Sequence, residues 1–269
     1  MEDKGVTYHF LRGMPTQLLY FGVLISVGAF LVGCAVAPQP SIDVYIEAIE
    51  GQTNTKIDPE TGAVTVLQKG VAVTIEPLNE VEIFELTDDP RINPYLIVGN
   101  RGNVEPIYTV FQMTVHNLDT PRVLVEESAT LLDKNGAQYA NLPYDYFEDL
   151  YDNVTRSENN ALPTRTYPHY HPPYHSYYPY YRTYLDVAAL EEGQAVVAES
   201  LFESGKLFKG AKRRGLLIFD RLDLNNTELR VIVPEISVVN SDSKQEKLKF
   251  NFDFRQVVTE KPAIERREY

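Results

Sequence analysis

A segment rich in tyrosine, histidine and proline, residues 166–184, carries the densest set of side chains that could bind a ligand. Its histidines, His169, His171 and His175, follow the spacing His-x-His-x₃-His. Short histidine-rich tracts bind Zn²⁺ or Cu²⁺ through neutral imidazole nitrogens. The three histidines are therefore candidate metal ligands, although residues 166–184 contain no Asp or Glu to complete the set.

The tyrosines of the same segment suggest a different chemistry. Tyrosine offers a large, rigid contact area and has few rotatable bonds to order on binding. The four prolines of the segment exclude a regular helix or a central strand. We expect its tyrosines to bind another protein or a glycan, and a surface loop without a fixed partner is the alternative. These candidate residues are Tyr167, Tyr170, Tyr174, Tyr177, Tyr178, Tyr180, Tyr181 and Tyr184.

The only cysteine of the chain, Cys34, stands near the end of an apolar run that begins at Leu18. Lys4 and Arg12 precede the run, and no charged residue interrupts it. A positive start, an apolar stretch and a small residue before the cleavage point are typical of a secretory signal. The uncharged stretch of about 20 residues is also long enough to span a bilayer. An uncleaved anchor in the inner membrane is therefore the alternative.

The run Leu31-Val32-Gly33-Cys34 resembles the lipobox of bacterial lipoproteins. The resemblance implies a signal peptide over residues 1–33, a diacylglyceryl group on the Cys34 thiol, and acylation of the new amino terminus. Residues 34–41 would then be a lipidated tether. Ala35 rather than Asp follows the cysteine, which by similarity to enterobacterial sorting implies the outer membrane. We expect a lipid-anchored protein that faces the periplasm or the cell surface.

Composition narrows the possible functions further. The formal net charge of −13 disfavours nucleic acid and anionic lipid surfaces as partners. Once Cys34 is acylated, no thiol remains for a disulfide, a thiolate metal site or a nucleophile. The sequence contains no Gly-x-Ser-x-Gly motif and no phosphate-binding loop. We therefore expect no catalytic residues, no enzymatic activity and no cofactor besides the lipid. An envelope hydrolase acting on glycan is a weaker alternative.

Short apolar runs separated by turn residues predict a mainly β protein. Lys69-Gly70 and Asn135-Gly136 each lie between apolar runs, which indicates a hairpin at each place. On the strand 107–117, we expect Phe111, Met113 and Val115 to face the core together with Ile107 and Thr109. The predicted strands are 42–49, 63–67, 71–76, 81–86, 107–117, 123–125, 129–132, 215–219, 228–233 and 247–254.

Helical periodicity appears only between residues 142 and 214. The first predicted helix buries a stripe of Phe147, Leu150, Tyr151 and Val154, and its other face is acidic. The second runs from about Asp186 to Ser204, with residues 166–184 between the two helices. Its predicted buried stripe comprises Leu190, Gln194, Val197, Leu201 and Phe208. The basic residues Lys209, Lys212, Arg213 and Arg214 follow, either to pair with the acidic helix or to keep a loop soluble.

Two stretches, Tyr108–Tyr139 and Arg214–Val258, resemble the immunoglobulin-like domains of exported bacterial lipoproteins. The resemblance implies an Ig-like antiparallel β-sandwich over residues 42–258, with the helical insertion at 142–214. Residues 259–269 would form a charged, flexible tail. Together, these patterns predict a membrane-anchored interaction or assembly module of the cell envelope, with an envelope metal-binding protein as the alternative.

Overall fold

The apolar runs of the sequence form two antiparallel sheets. The computed structural model describes residues 42–98, 104–157, 187–239 and 244–260. Of these, Ile42–Thr259 belong to one compact unit. The strands of the described residues are β1 (Ile42–Ala48), β2 (Thr55–Ile57), β3 (Val64–Gln68), β4 (Val71–Pro77), β5 (Leu96–Val98), β6 (Val104–Pro106), β7 (Tyr108–Asn117), β8 (Arg122–Val125), β9 (Thr130–Asp133), β10 (Gln138–Ala140), β11 (Gly205–Phe208), β12 (Lys212–Asp220), β13 (Glu228–Val239) and β14 (Gln245–Glu260).

The strands divide into two large sheets and one small hairpin. The first sheet has the order β1-β14-β13-β8-β11, with β9 also paired to β13 and β10 paired to β9. The second sheet has the order β12-β7-β4-β3-β2, and β5 pairs with β6 separately. Neighbouring strands of the second sheet are antiparallel throughout.

Both predicted hairpins are confirmed. β3 and β4 pair in a register that places Gln68 opposite Val71, with Lys69 and Gly70 at positive φ of 47° and 77°. Two successive residues at positive φ define the type I′ turn that fits the twist of paired strands. β9 and β10 pair around the second turn, where Gly136 has a φ of 84°.

The main core lies between the two large sheets. The second sheet contributes Phe111, Met113, Val115 and other side chains to it, which confirms the predicted inner face of β7 over these residues. The alternating pattern of β14 is confirmed in the same way, because one face of this strand is buried in that core. The residues concerned are Leu248, Phe250, Phe252 and Phe254. A mainly β protein with sheets packed as a β-sandwich is therefore correct, and the finer Ig-like assignment stays a prediction.

The prediction of a strand at 81–86 is wrong. The first four of these residues belong to helix α1 (Glu80–Phe84). The Asn79 side chain accepts hydrogen bonds from the backbone N–H groups of Val81 and Glu82. The Glu82 carboxylate accepts one from the Asn79 N–H at 2.7 Å. This reciprocal capping box satisfies donors that a helix start leaves open, and Ile83 alone of the helix is buried.

Two longer helices, α2 (Tyr144–Ser157) and α3 (Val187–Ser200), occupy the predicted helical region. α3 ends before the predicted Ser204, and β11 begins at Gly205, inside the range assigned to the helical insertion. The predicted burial of Phe208 is wrong, since Phe208 lies in β11 and is 65% exposed. None of the helices that the structure describes is long and apolar enough to cross a membrane.

Candidate functional site

The first half of β7 is buried on both faces. In a simple β-sandwich, one face of such a strand would be exposed to solvent. Tyr108 and Val110 point away from the main core, yet they are 6% and 1% exposed. They belong to a second hydrophobic cluster on the outer face of the second sheet. Its members are Ile83, Tyr95, Leu96, Tyr108, Val110, Leu142, Phe147, Val197, Leu216 and Ile218. Sheet, helices and the segment before β5 therefore share a core of their own.

Aromatic rings hold this second cluster together. Phe147 of α2 meets Tyr95 and Tyr108 edge to face, with ring centroids 6.0 and 5.7 Å apart. Tyr146 contacts Phe147 in the same geometry at 5.2 Å. Edge-to-face pairs contribute about 0.5–1.5 kcal/mol each beyond the area they bury. The first predicted helical stripe is confirmed at Phe147, whose ring joins α2 to the sheet.

Hydrogen bonds fix the orientation of Tyr95. Its hydroxyl lies 2.6 Å from the Ser200 Oγ at the end of α3. Its backbone N–H donates to the Asn93 side chain at 3.0 Å, and the Asn93 amide donates to the carbonyl of Ile83 at 2.7 Å. Burial raises the pKa of Tyr95 to about 12, against which the Ser200 hydrogen bond acts. The segment before β5 is therefore linked to α1 through Asn93 and to α3 through the Tyr95 hydroxyl.

The two long helices approach each other closely at Gly193. A Cβ at this position would lie 2.8 Å from the Tyr151 hydroxyl and 3.0 Å from the carbonyl oxygen of Ile92. Nearby, the Gln194 amide donates to the Tyr144 hydroxyl at 3.2 Å. We call α2 and α3 together the helix pair. Because glycine has no side chain, it permits this close approach, whereas a Cβ would require the Tyr151 side chain and the backbone at Ile92 to shift.

The sequence connects the last residue of α2, Ser157, to the first residue of α3, Val187, through the tyrosine, histidine and proline segment. The eight candidate tyrosines and the three candidate histidines lie outside the described residues, as does Cys34. Their predicted roles in partner binding, metal binding and lipid attachment stay predictions. What the structure adds is that the helices on either side of this segment in the sequence are fixed to the sheet, through Phe147 of α2 and Val197 of α3 in the second cluster.

A second candidate surface was missed by the sequence reasoning. Beyond the second cluster, the outer face of the second sheet carries a row of residues that runs across all five strands. This row is Arg214, Thr114, Thr74, Thr65 and Lys56. The next row is Lys212, His116, Ala72 and Leu67. None of these nine residues is buried, and we call them the open sheet face. Polar residues alternating with core residues on β3, β4 and β7 were the signal that could have revealed it.

The open sheet face is basic at both margins, with three threonines between Arg214 and Lys56. The hydroxyls of Thr65 and Thr74 are 2.8 Å apart, so they form a cross-strand hydrogen bond. The adjoining carboxylate is Glu76, whose pKa is raised by burial and by Glu82. Arg214 and a hydrogen bond from Gln112 oppose that increase. The nine residues of the open sheet face thus include three bases, Lys56, Lys212 and Arg214, and no carboxylate. The carboxylate of Glu76 lies beside the face, and those of Glu82 and Asp58 act on Glu76.

The basic residues 209–214 do not act as one group. Lys209 forms an ion pair with Asp119 at 2.6 Å. Arg213 donates hydrogen bonds to the backbone carbonyl oxygens of Glu203 and Ser204, next to Gly205. These two bases therefore bind loop groups near the edge of the sandwich, whereas Lys212 and Arg214 belong to the open sheet face.

Within the described ranges, no three His, Cys, Asp or Glu side chains come together in a way that could hold a metal ion. Among the acidic residues of α2, Asp145, Glu148 and Asp152 are exposed, and Asp149 is half-buried. Asp145 and Glu148 therefore form part of an acidic, solvated face of α2.

No protein-family profile matches the chain, and no curated protein matches it. One solved structure that it resembles is titled "X-ray structure of Northeast Structural Genomics Consortium target SoR45". The two chains are 8% identical with a TM-score of 0.22, over 85% of this chain and 92% of that chain. A likeness at this level carries no argument about fold or function.

Proposed function

We propose that this protein is a membrane-anchored bacterial lipoprotein that acts as a non-enzymatic interaction or assembly module of the cell envelope. The observation that carries the proposal is the second hydrophobic cluster. It fixes the helix pair to the sandwich, and the helix pair flanks the tyrosine-rich segment on both sides. The lipobox supports the location, and the tyrosines support the mode of action.

A rigid support matters for binding because ordering a contact surface costs free energy. Each rotamer-rich side chain immobilised at an interface costs about 0.5–1.5 kcal/mol. When the elements on both sides of a binding segment are fixed, less conformational freedom is left to lose on binding. Recognition loops are therefore commonly found on rigid scaffolds. Here Phe147 and Val197 are both fully buried, so each helix contributes an anchor to the second cluster. The same helix pair flanks His169, His171 and His175, so the choice of partner binding over metal binding rests on the eight tyrosines and on the lack of Asp or Glu within residues 166–184.

The first test concerns the segment itself. The full-length lipoprotein is extracted from native membranes, and proteins that co-purify are identified by mass spectrometry. In one variant all eight tyrosines become serine, and in a matched variant His169, His171 and His175 become alanine. We expect the tyrosine variant to lose at least about tenfold of its partner signal, because stacked tyrosines dominate such contacts. The histidine variant should keep its partners.

Two results would contradict this proposal. Unchanged partners in the tyrosine variant would remove the segment from binding. Loss of partners only in the histidine variant, together with Zn²⁺ or Cu²⁺ heats that vanish on the same change, would favour the metal-binding alternative. Both variants keep the length of the segment, so neither effect can come from shortening the link between α2 and α3.

The anchor is tested separately. Mass spectrometry of the membrane fraction should find an amino-terminal peptide that begins at Cys34 and carries three acyl chains. Because each buried methylene contributes about 0.8 kcal/mol, several chains hold the protein on the membrane, whereas a single chain binds weakly. Cys34→Ser should leave the protein unlipidated and either unprocessed or released. Membrane-bound protein with an intact Met1 and an unmodified Cys34 would favour the signal anchor instead.

A further inference from the structure

The open sheet face is a flat, positively charged surface with small side chains at its centre. Arg214 and Lys212 are exposed on β12, and Lys56 is exposed on β2 at the opposite margin. Between these margins lie the three threonines, His116, Ala72 and the exposed Leu67. No described ion pair involves Lys56, Lys212 or Arg214. Such a surface fits a partner surface of opposite, acidic charge.

This chain carries a surface of that kind on the same side of the second sheet. Phe147 turns one side of α2 to the sheet, and Asp145 and Glu148 are exposed on the other. On α3, Val197 is buried against the sheet, while the exposed residues are glutamates and alanines. These α3 residues are Glu191, Glu192, Ala195, Ala198 and Glu199. The described part of α3 contains no Lys or Arg.

The two surfaces lie side by side and at different heights. The helix pair covers Tyr108 and Val110 at the start of β7, and the open sheet face begins at Thr114. Val110 and His116 are six residues apart on one strand, or about 20 Å at 3.4 Å per residue. Helices packed on a sheet stand about 10 Å above it. The outer side of the second sheet is therefore a step, acidic on its raised half and basic on its lower half.

We propose that a second copy of this chain docks on this step, with the helix pair of each copy resting on the open sheet face of the other. The arrangement is isologous, because each copy offers the same two surfaces and the contacts repeat about a two-fold axis. Every helix pair then lies between its own sheet and that of the partner. Glutamates of α3 face Lys212 and Arg214 across the interface, and the alanine and threonines permit close approach.

The area is sufficient for a specific dimer. Five strands about 4.8 Å apart and two rows of side chains about 7 Å apart give about 300 Å² for one open sheet face. The helix pair buries a similar area, and the two-fold axis doubles the sum to about 1,200 Å². Specific interfaces begin at about this size. Salt at physiological ionic strength screens interactions between charges that are more than about 8 Å apart. Opposite charges that face each other across the interface therefore still attract, whereas repulsion between the net charges of the two copies is weakened.

The test uses the full-length lipoprotein, co-expressed as two copies with different affinity tags and extracted in mild detergent. One tag is captured and the other is measured. The basic variant is Lys212→Glu with Arg214→Glu, and the acidic variant is Glu192→Lys with Glu199→Lys. Each variant expressed in both tagged forms should reduce co-purification at least about tenfold, because like charges then face each other. Salt at about 1 M should weaken the unmodified pair in the same way.

The decisive measurement mixes the two variants. The basic variant carrying one tag and the acidic variant carrying the other restore opposite charges at both repeats of the interface, so co-purification should return to the unmodified level. The matched control is Lys206→Glu with Lys249→Glu. It changes the net charge as the basic variant does, but on exposed residues of the first sheet, and it should leave co-purification unchanged.

The proposal fails if the unmodified copies do not co-purify, or if the basic variant still binds itself as well as the unmodified chain does. It also fails if the mixed variants do not recover, since the acids and bases would then not face one another. All substituted side chains are exposed, and equal melting temperatures of the variants confirm that folding is retained. Loss of the tyrosine-dependent partners leaves these results unaffected, so this proposal and the proposed function fail separately.

Discussion

Gly215→Ala is expected to lower the free energy of unfolding by about 3 kcal/mol. A Cβ at Gly215 would lie 2.5 Å from the Cα and 2.7 Å from the backbone nitrogen of Phe202. At this point the chain leaves α3 and crosses the edge of β12. The Phe202 N–H donates to the carbonyl of Leu216 at 2.9 Å, and Leu201 forms a parallel bridge with Leu216. The backbone atoms of Phe202 cannot rotate away as a side chain could. The segment at Leu201 and Phe202 must therefore move relative to β12.

Overpacking a core costs about 1–3 kcal/mol, and loss of the edge hydrogen bond adds about 1 kcal/mol. A domain of this size loses about 2–4 °C in melting temperature per kcal/mol, so we expect a decrease of about 6–12 °C. The measurement is urea unfolding of the full chain in detergent, followed by far-UV circular dichroism and checked by thermal melting.

The matched control is Gly51→Ala. Gly51 has a φ of 79°, and no atom lies within 4 Å of its Cβ position. Alanine there meets conformational strain of about 1 kcal/mol without a clash. The Gly215 variant should therefore be at least twice as destabilised. Equal decreases in the free energy of unfolding at the two positions would contradict this prediction. They would show that the backbone at Phe202 shifts at little cost, so the close approach at Gly215 does not constrain the fold.

The sandwich could be predicted from sequence where the apolar residues alternate. In β14 one face is Leu248, Phe250, Phe252 and Phe254, and a period of two has no helical reading. Hairpins at Lys69-Gly70 and Asn135-Gly136 were equally predictable, since the turn chemistry is local. The order of the strands was not, because β13 pairs with β8, β9 and β14 through contacts that no local pattern contains.

Residues 81–86 show how a local pattern can mislead. Apolar and acidic residues mix there without a clear period, and β-branched residues favoured a strand. The determining signal was Asn79 with Glu82 three residues later, a capping box that starts a helix. Five residues give a hydrophobic pattern too little length to distinguish the two structures, so the cap was the better guide.

The candidate surfaces required the structure for a different reason. The two-sided burial of β7 depends on helices more than 20 residues away in sequence, and no pattern within the strand indicates it. The row from Arg214 to Lys56 likewise consists of unremarkable residues on five separate strands. Alternation along β3, β4 and β7 indicates an outer face on each strand, but that the residues of five strands form one row follows from the register. The tyrosine-rich segment, by contrast, was evident from composition alone.

Asn117→Ala is expected to be the most damaging polar substitution, with a loss of about 3 kcal/mol or more in the free energy of unfolding. Asn117 ends β7 and is completely buried. Its amide donates to the carbonyl oxygens of Thr120 and Leu207 at 2.9 and 3.0 Å. Its side-chain oxygen accepts from the Thr120 N–H and hydroxyl at 3.0 and 2.7 Å. One side chain thus joins the turn after β7 to the strand β11 of the other sheet.

Alanine leaves all these partners without Asn117, and each buried group left unsatisfied costs about 1–3 kcal/mol. The control is Asn141→Ala, which removes a half-exposed amide bonded to Ala129 and Glu127 and should cost about 1 kcal/mol. Asn117→Asp should not rescue stability, because a carboxylate keeps the acceptor but repels the carbonyls of Leu207 and Thr120. Urea unfolding of the three variants decides the matter. If Asn117→Ala lowers the free energy of unfolding no more than Asn141→Ala does, the prediction is wrong. Water then replaces the Asn117 amide, and other residues join the two sheets.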